Sequence, residues 1–254
     1  MAIAAFILRG AAIAQINESD TAKVQIRVSL TGNYQAGNVE FLNIRSRLEV
    51  LYAPQKDWIF KSQNSSLYQA FYDKKADNDV FSRNYLYFKP QARFYPYLIS
   101  FVSANYRRKI DLRYFVGIGE TWQVINKKNH ILKLSISGVY EQTNFSEANY
   151  NFIEFNGDKT IALWRGTTYI AGWHYLSERR LRVFYDAFWQ PAFNDLSNYR
   201  TQYDVGVDFS IWKGLSFNAL YTYTHEQLVV QKIKPDDRVL SFGLAYNFKK
   251  YFIN

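Results

Sequence analysis

The chain has 254 residues, enough for one large β domain or two small ones, and its lack of cysteine excludes a disulfide scaffold and any cysteine nucleophile or metal site. Lys and Arg number 31 against 22 Asp and Glu, giving a net charge of +9. The basic residues are scattered, many at alternate positions, rather than gathered on one face or in a run, which argues against a nucleic-acid partner.

Met1 to Leu8 is apolar and is followed by Arg9-Gly10. Ala12-Ile13-Ala14 then fits the small-x-small rule for signal peptidase, with cleavage before Gln15. Residues 1–14 are therefore expected to be an export signal, although the basic leading region is missing. The Ala-Gln junction resembles Bacteroidota usage.

After this leader the dominant period is two, the signature of a strand whose faces meet different surroundings. Val24, Ile26, Val28 and Leu30 alternate with Lys23, Gln25, Arg27, Ser29 and Thr31. The pattern returns in Leu132 to Tyr140, in Tyr199 to Ile211 and in Leu215 to Tyr223. Twelve such segments can be placed, at 22–33, 39–52, 57–71, 80–90, 96–106, 111–124, 130–143, 160–175, 180–190, 198–212, 214–226 and 237–248. The alternation is poorest in 57–71 and 80–90. Most segments have 10 to 15 residues, long enough for a tilted strand to cross a bilayer, which takes roughly 9 to 11. No run approaches the roughly 18 apolar residues of a membrane helix, so a membrane-spanning form must be a closed barrel. The mean hydropathy of −0.30 suits a barrel with lipid on one side and a polar lumen on the other.

The connections alternate in length. Short turns are expected at 53–56, 126–129, 177–179 and 213–214, and longer loops at 73–79, 145–159, 191–197 and 227–236. Outer-membrane barrels keep short turns on the periplasmic side, so both termini are expected there. Pro54, Pro96, Pro191 and Pro235 are assigned to connections and Pro90 to a strand end. The predicted fold is all-β: a single antiparallel up-and-down transmembrane β-barrel of 12 strands over residues 15–248, with a short tail at 249–254.

The last segment resembles the assembly signal of outer-membrane barrels, with Ser241, Gly243, Tyr246 and Phe248 in its four places. That resemblance implies recognition by the barrel-assembly machinery. The chain also resembles the salt-induced outer-membrane proteins, an uncharacterised family. The resemblance lies in Gly32-Asn33-Tyr34-Gln35-Ala36-Gly37-Asn38, in Arg107-Arg108-Lys109-Ile110-Asp111-Leu112-Arg113-Tyr114-Phe115-Val116-Gly117-Ile118-Gly119, and in Leu132 to Tyr140. It covers about residues 25 to 248 and implies an outer-membrane barrel in contact with lipid, with no established substrate and no catalytic residue to carry over.

With the apolar set facing lipid, the lumen set is Lys23, Arg27, Arg45, Arg47, Glu49, Arg113, Lys133, Glu141, Arg182, Asp186, Arg200, Asp204 and Asp208. Both signs are present. Paired charges can be tolerated in a tight lumen, whereas isolated ones are costly. Two readings stay open: an ion-pair network that plugs the barrel, and a narrow charge-lined path for small solutes. The Arg excess in the first two strands points to anions. Tyr52, Trp58, Trp122, Trp173, Tyr175, Trp189, Trp212 and Tyr251 are candidates for the interfacial aromatic girdles.

A soluble sandwich or lipocalin-like barrel is the competing fold; it would turn the apolar set inward. A lipid-modifying enzyme is the competing function, but no Ser-His-acid motif is legible around His130, His174 or His225. Ser177 follows His174 by three residues, which puts the two on opposite faces. Asp73, Asp77 and Asp79 are expected in a solvated loop, and no cofactor or metal is implied.

Overall fold

The computed structural model describes residues 16–251; the expected leader with its junction at Gln15, and residues 252–254, lie outside the described residues. Twelve strands follow in chain order. They are β1 (Ala22–Gln35), β2 (Phe41–Gln55), β3 (Trp58–Phe71), β4 (Lys74–Phe88), β5 (Phe94–Asn105), β6 (Ile110–Lys127), β7 (His130–Phe145), β8 (Thr160–Leu176), β9 (Leu181–Pro191), β10 (Tyr199–Trp212), β11 (Leu215–Glu226) and β12 (Asp236–Tyr251). Each pairs antiparallel with its sequence neighbours, and β1 pairs with β12, so the sheet closes as the sequence predicts.

The pleat decides which residues look inward. Along β1, Gln25, Arg27, Ser29 and Thr31 are buried, while Val28 and Leu30 are 47% and 59% exposed. The same division holds for Lys133 against Ile136 and for Asp204 and Asp208 against Val205 and Phe209. Val116, Ile118, Trp164, Leu240 and Leu244 add to an outer face of exposed apolar side chains that runs round the barrel. A water-soluble monomer rarely exposes a contiguous apolar patch above a few hundred Å². The apolar set therefore does not converge on a dry interior, and the soluble alternative falls.

We call the end where β1 starts and β12 stops the basal end, and the other the loop end. The basal connections are residues 56–57, 89–93, 128–129, 177–180 and 213–214; those at the loop end are 36–40, 72–73, 106–109, 146–159, 192–198 and 227–235. The expected long loop at 73–79 is absent. Tyr72 and Asp73 both take positive φ, at 47° and 57°, which is the backbone of a two-residue primed hairpin turn. The tight turn lets β4 begin at Lys74 and carries Asp77 and Asp79 into the sheet rather than into a solvated loop.

Three prolines assigned to connections lie inside strands. Pro54 is at a register irregularity between Tyr52 and Gln55, Pro96 pairs with Glu120 on β6 just beyond the last β4–β5 pair, and Pro191 ends β9. At such places the missing N–H removes little from the ladder. Pro90 instead lies in the connection 89–93.

Two girdle candidates also change sides. Trp173 and Tyr175 are buried in the interior, whereas Tyr52, Trp58, Trp189, Trp212 and Tyr251 are exposed. Lys23 falls at an irregularity in the β1–β12 pairing between Ala22 and Val24 and is half-buried. At the closing seam β12 runs past Phe248, with Lys249 opposite Gln25 and Lys250 opposite Val24, so half of the expected tail is strand. Ser241 is buried, Tyr246 and Phe248 face outward, and Gly243 meets β1 so closely that a Cβ there would collide with the carbonyl of Leu30.

Candidate functional site

The interior of the barrel carries the polar chemistry, in three tiers. The basal tier is built on residues ahead of β1. Ile16 is buried against Leu51, Ala53, Ile59, Tyr87, Tyr95 and Tyr97. This contact brings Glu18 into the basal mouth, where one carboxylate oxygen accepts from Lys133 Nζ at 2.7 Å and from the Tyr95 hydroxyl at 2.8 Å. The other accepts from Lys61 Nζ at 3.3 Å. Lys133 also donates to Asn17 Oδ1 at 2.8 Å and Ser19 Oγ at 2.9 Å. Burial alone would raise the pKa of Glu18, but Lys133 and then Lys61 overrule it and hold the carboxyl well below the ordinary range. The segment Ile16–Asp20 thus sits as a charged stopper in the basal mouth.

The middle tier links strands that are not neighbours. Asp208 on β10 accepts from Arg27 on β1, from Arg182 on β9, and from Asn218 Nδ2 at 2.6 Å. Arg47 on β2 reaches Asp204 on β10 at 2.9 Å, and Arg45 donates to the Thr222 hydroxyl at 2.9 Å. Glu49 and Asp186 line a smaller side cavity with Arg27, Arg47, Arg83 and Asp204.

The upper tier crosses the lumen near the loop end. Glu141 on β7 binds Arg165 at 3.0 Å and also Arg200 on β10. Glu226 on β11 takes Arg113 from β6 and, at 3.0 Å, Arg108 from the turn 106–109. Arg108 continues to Asp237 at 2.7 Å, and Arg107 joins Asp237 to Asp77, 3.0 Å away. Above them the long connections lean on each other. Tyr150 and Val230 form a bridge inside an apolar cluster with Ile110, Phe145, Ile161, Leu163 and Leu228. Removing one partner of such a buried pair strands the other, at about 3–5 kcal/mol.

Between stopper and upper tier runs one main cavity of about 180 Å³, room for about six waters at about 30 Å³ each. Its charged lining is Arg45, Arg47, Lys61, Arg83, Arg107, Arg108, Arg113, Lys133 and Arg200 against Glu18, Asp77, Asp79, Glu226 and Asp237. Nine cations against five anions leave an excess of four positive charges on this wall. The opposite contribution is aromatic: Phe81, Tyr85, Tyr87, Tyr97, Phe101, Phe115, Tyr169, Trp173 and Phe188 face the same space.

Of the residues proposed for the lumen, Arg27, Arg45, Arg113, Lys133, Glu141, Arg182, Arg200, Asp204 and Asp208 are buried, and Arg47, Glu49 and Asp186 half-buried. Lys23 lies half-buried at the basal rim. Sequence reasoning missed Glu18, Lys61, Asp77, Asp79, Arg83, Arg107, Arg108, Arg165, Glu226 and Asp237. Their signal was weak: Glu18 precedes the first strand, Arg107 and Arg108 sit in a turn, and Lys61 and Arg83 fall where alternation fails. The histidines do other work. His174 meets His130 across the β7–β8 pair at 3.1 Å and the Tyr185 hydroxyl at 3.2 Å. His225 is held by Asp236 and Gln227, each at 3.0 Å.

A family model described as "Protein of unknown function, DUF481" matches residues 28–248, which is nearly the whole barrel. The chain belongs to the DUF481 family. That stretch coincides with the resemblance drawn from Gly32 to Asn38 and from Arg107 to Gly119, and the family description carries no statement about salt. Among solved structures, this DUF481 barrel is similar to the NanC porin, with a TM-score of 0.53 and 12% identity over 88% of this chain and 98% of that one. It is also similar to the translocator domain of the autotransporter NalP from Neisseria meningitidis, with a TM-score of 0.51 and 10% identity over 91% and 90% of the two chains. At these identities the likeness is one of fold: a closed outer-membrane-type barrel. No curated protein matches the DUF481 chain.

Proposed function

We propose that the protein is an integral outer-membrane barrel whose lumen is a narrow, anion-preferring path for small solutes, stoppered at its basal mouth by Ile16–Asp20. The observation that carries this reading is the main cavity, which extends from Glu18 and Lys133 at one end to Arg107, Arg108 and Asp237 at the other with four more cations than anions on its wall. Rings of charged side chains are how narrow pores select ions. The apolar outer face supports residence in lipid, and the short basal turns support a periplasmic position for both termini. On the same reading Ser241, Gly243, Tyr246 and Phe248 are the residues that the barrel-assembly machinery recognises.

One rival has support of its own. The cross-lumen ion pairs favour a structural barrel with a permanently plugged interior. Single-channel recording in planar bilayers separates the two. The path predicts small steps and, under a potassium chloride gradient, a reversal potential toward that of chloride; a silent barrel, with Glu18 intact or replaced, supports the plug. The contacts of His130, His174 and His225 give no support to a lipid-hydrolysing triad.

A further inference from the structure

Arg83 on β4 lines the main cavity. Its guanidinium carbon lies 5.6 Å from the ring centre of Phe81, 5.7 Å from that of Phe101 and 5.8 Å from that of Phe188. Phe81 and Phe101 come from β4 and β5, while Phe188 stands on β9, across the lumen. Phe101 stacks in turn on Phe115, with centroids 4.7 Å apart and planes 13° from parallel. All of these side chains line the main cavity. The main cavity therefore has on its wall a cation set among phenyl rings.

Charge pairing singles out the same residue. Seven of the nine cations on this wall have a carboxylate at ion-pair distance, namely Arg47, Lys61, Arg107, Arg108, Arg113, Lys133 and Arg200. Among the described residues Arg45 and Arg83 have none; Arg45 donates to Thr222 and Arg83 lies against Phe81. Glu49 and Asp186 line the side cavity that Arg83 also borders, yet neither forms an ion pair with it. The cations of this wall that lack a carboxylate at ion-pair distance are thus Arg45 and Arg83, and only Arg83 is set among rings.

A guanidinium never loses its charge, is weakly hydrated, and presents a planar fork that matches a carboxylate. Rings beside it hold the fork in place by cation–π attraction and offer apolar surface to whatever the carboxylate is attached to. We infer that Arg83, with Phe81, Phe101 and Phe188 around it, is a subsite for a small carboxylate carrying an apolar body. The inference rests on the reading of the lumen as a solute path and names the class of solute.

The test is titration calorimetry on the detergent-solubilised full chain with benzoate and acetate as probes. Benzoate should bind about tenfold more tightly than acetate, since burying its ring removes apolar surface from water. Arg83→Gln should weaken benzoate by about tenfold, the worth of a charge-assisted hydrogen bond. Phe188→Ala, which leaves every charge in place, should reduce the preference for benzoate over acetate to near unity while acetate binding stays. Equal affinity of wild type for the two probes, or benzoate binding untouched by both variants, overturns the subsite. Chloride-selective conductance without a benzoate preference removes the subsite and leaves the path. Arg83-dependent benzoate binding in a barrel that never conducts removes the path and leaves a binding lumen.

Discussion

At the scale of single residues, the interior is governed by what happens when a buried charge loses its partner. Glu18 answers two ammonium groups at once, Lys133 at 2.7 Å and Lys61 at 3.3 Å. Glu18→Gln keeps the shape but leaves both lysines without a counter-charge, at about 3 kcal/mol or more. The segment carrying Ile16 should then leave the mouth, and single-channel conductance should rise over wild type. The pH response follows from the same contact. The folded pKa of Glu18 lies below its ordinary value. Such a group stabilises at any pH above the unfolded pKa, about 4.3 for Glu, and loses its effect only as pH falls through the folded value. Conductance of the wild type should therefore be unchanged between pH 7 and pH 5; opening within that window would contradict the stopper. Glu226 makes the matching case at the loop end, where it accepts from Arg108 and Arg113. Glu226→Gln should lower resistance to denaturant-induced unfolding by about 3–5 kcal/mol, measured as a shift in the midpoint.

At the scale of elements, strands were legible wherever one face is polar and the other apolar. β1, β7, β10 and β11 could be placed from sequence because Arg27, Lys133, Asp204 and Asn218 interrupt the apolar set at every second position. β3 and β4 are placed at 57–71 and 80–90 without a clear register, because their inward faces mix Ile59, Leu67, Phe81 and Tyr87 with Lys61 and Arg83, so no contrast between faces marks it. The turn Tyr72-Asp73 carries no glycine to announce it, so the sequence alone places Asp77 and Asp79 in solvent. The stopper was illegible for a different reason: five residues ahead of a strand have no period, and their role depends on Lys61, Tyr95 and Lys133 from three distant strands. The seam permits a direct test of an element. Gly243 lies against the Leu30 carbonyl where β12 closes on β1. Gly243→Val forces the two strands apart, at about 1–3 kcal/mol by analogy with overpacked cores. It should reduce the fraction of folded, heat-modifiable barrel on a gel, while Gly138→Val, where a Cβ meets nothing within 4 Å, should not.

At the scale of the whole molecule, the charges and the greasy surface form one design. Twelve strands make a lumen wider than the side-chain-filled interior of eight-stranded barrels and narrower than that of large porins. Long side chains can still meet across it, as Arg47 and Asp204 or Arg113 and Glu226 do. The cationic excess was visible in sequence only as an Arg surplus in β1 and β2; its full extent needed Arg83, Arg107 and Arg108, which alternation did not flag. Everything else depends on the outward set touching acyl chains while its neighbours enclose the lumen. The absence of cysteine makes this directly measurable, since each introduced cysteine is unique. Single cysteines carrying nitroxide labels along β12, from Leu240 to Phe248 in lipid vesicles, should give oxygen accessibility with a period of two, high at Phe242, Leu244, Tyr246 and Phe248 and low at Ser241, Ala245 and Asn247. High accessibility to a water-soluble nickel relaxation agent at Phe242, Leu244 and Tyr246, with no oxygen maximum there, would contradict the account.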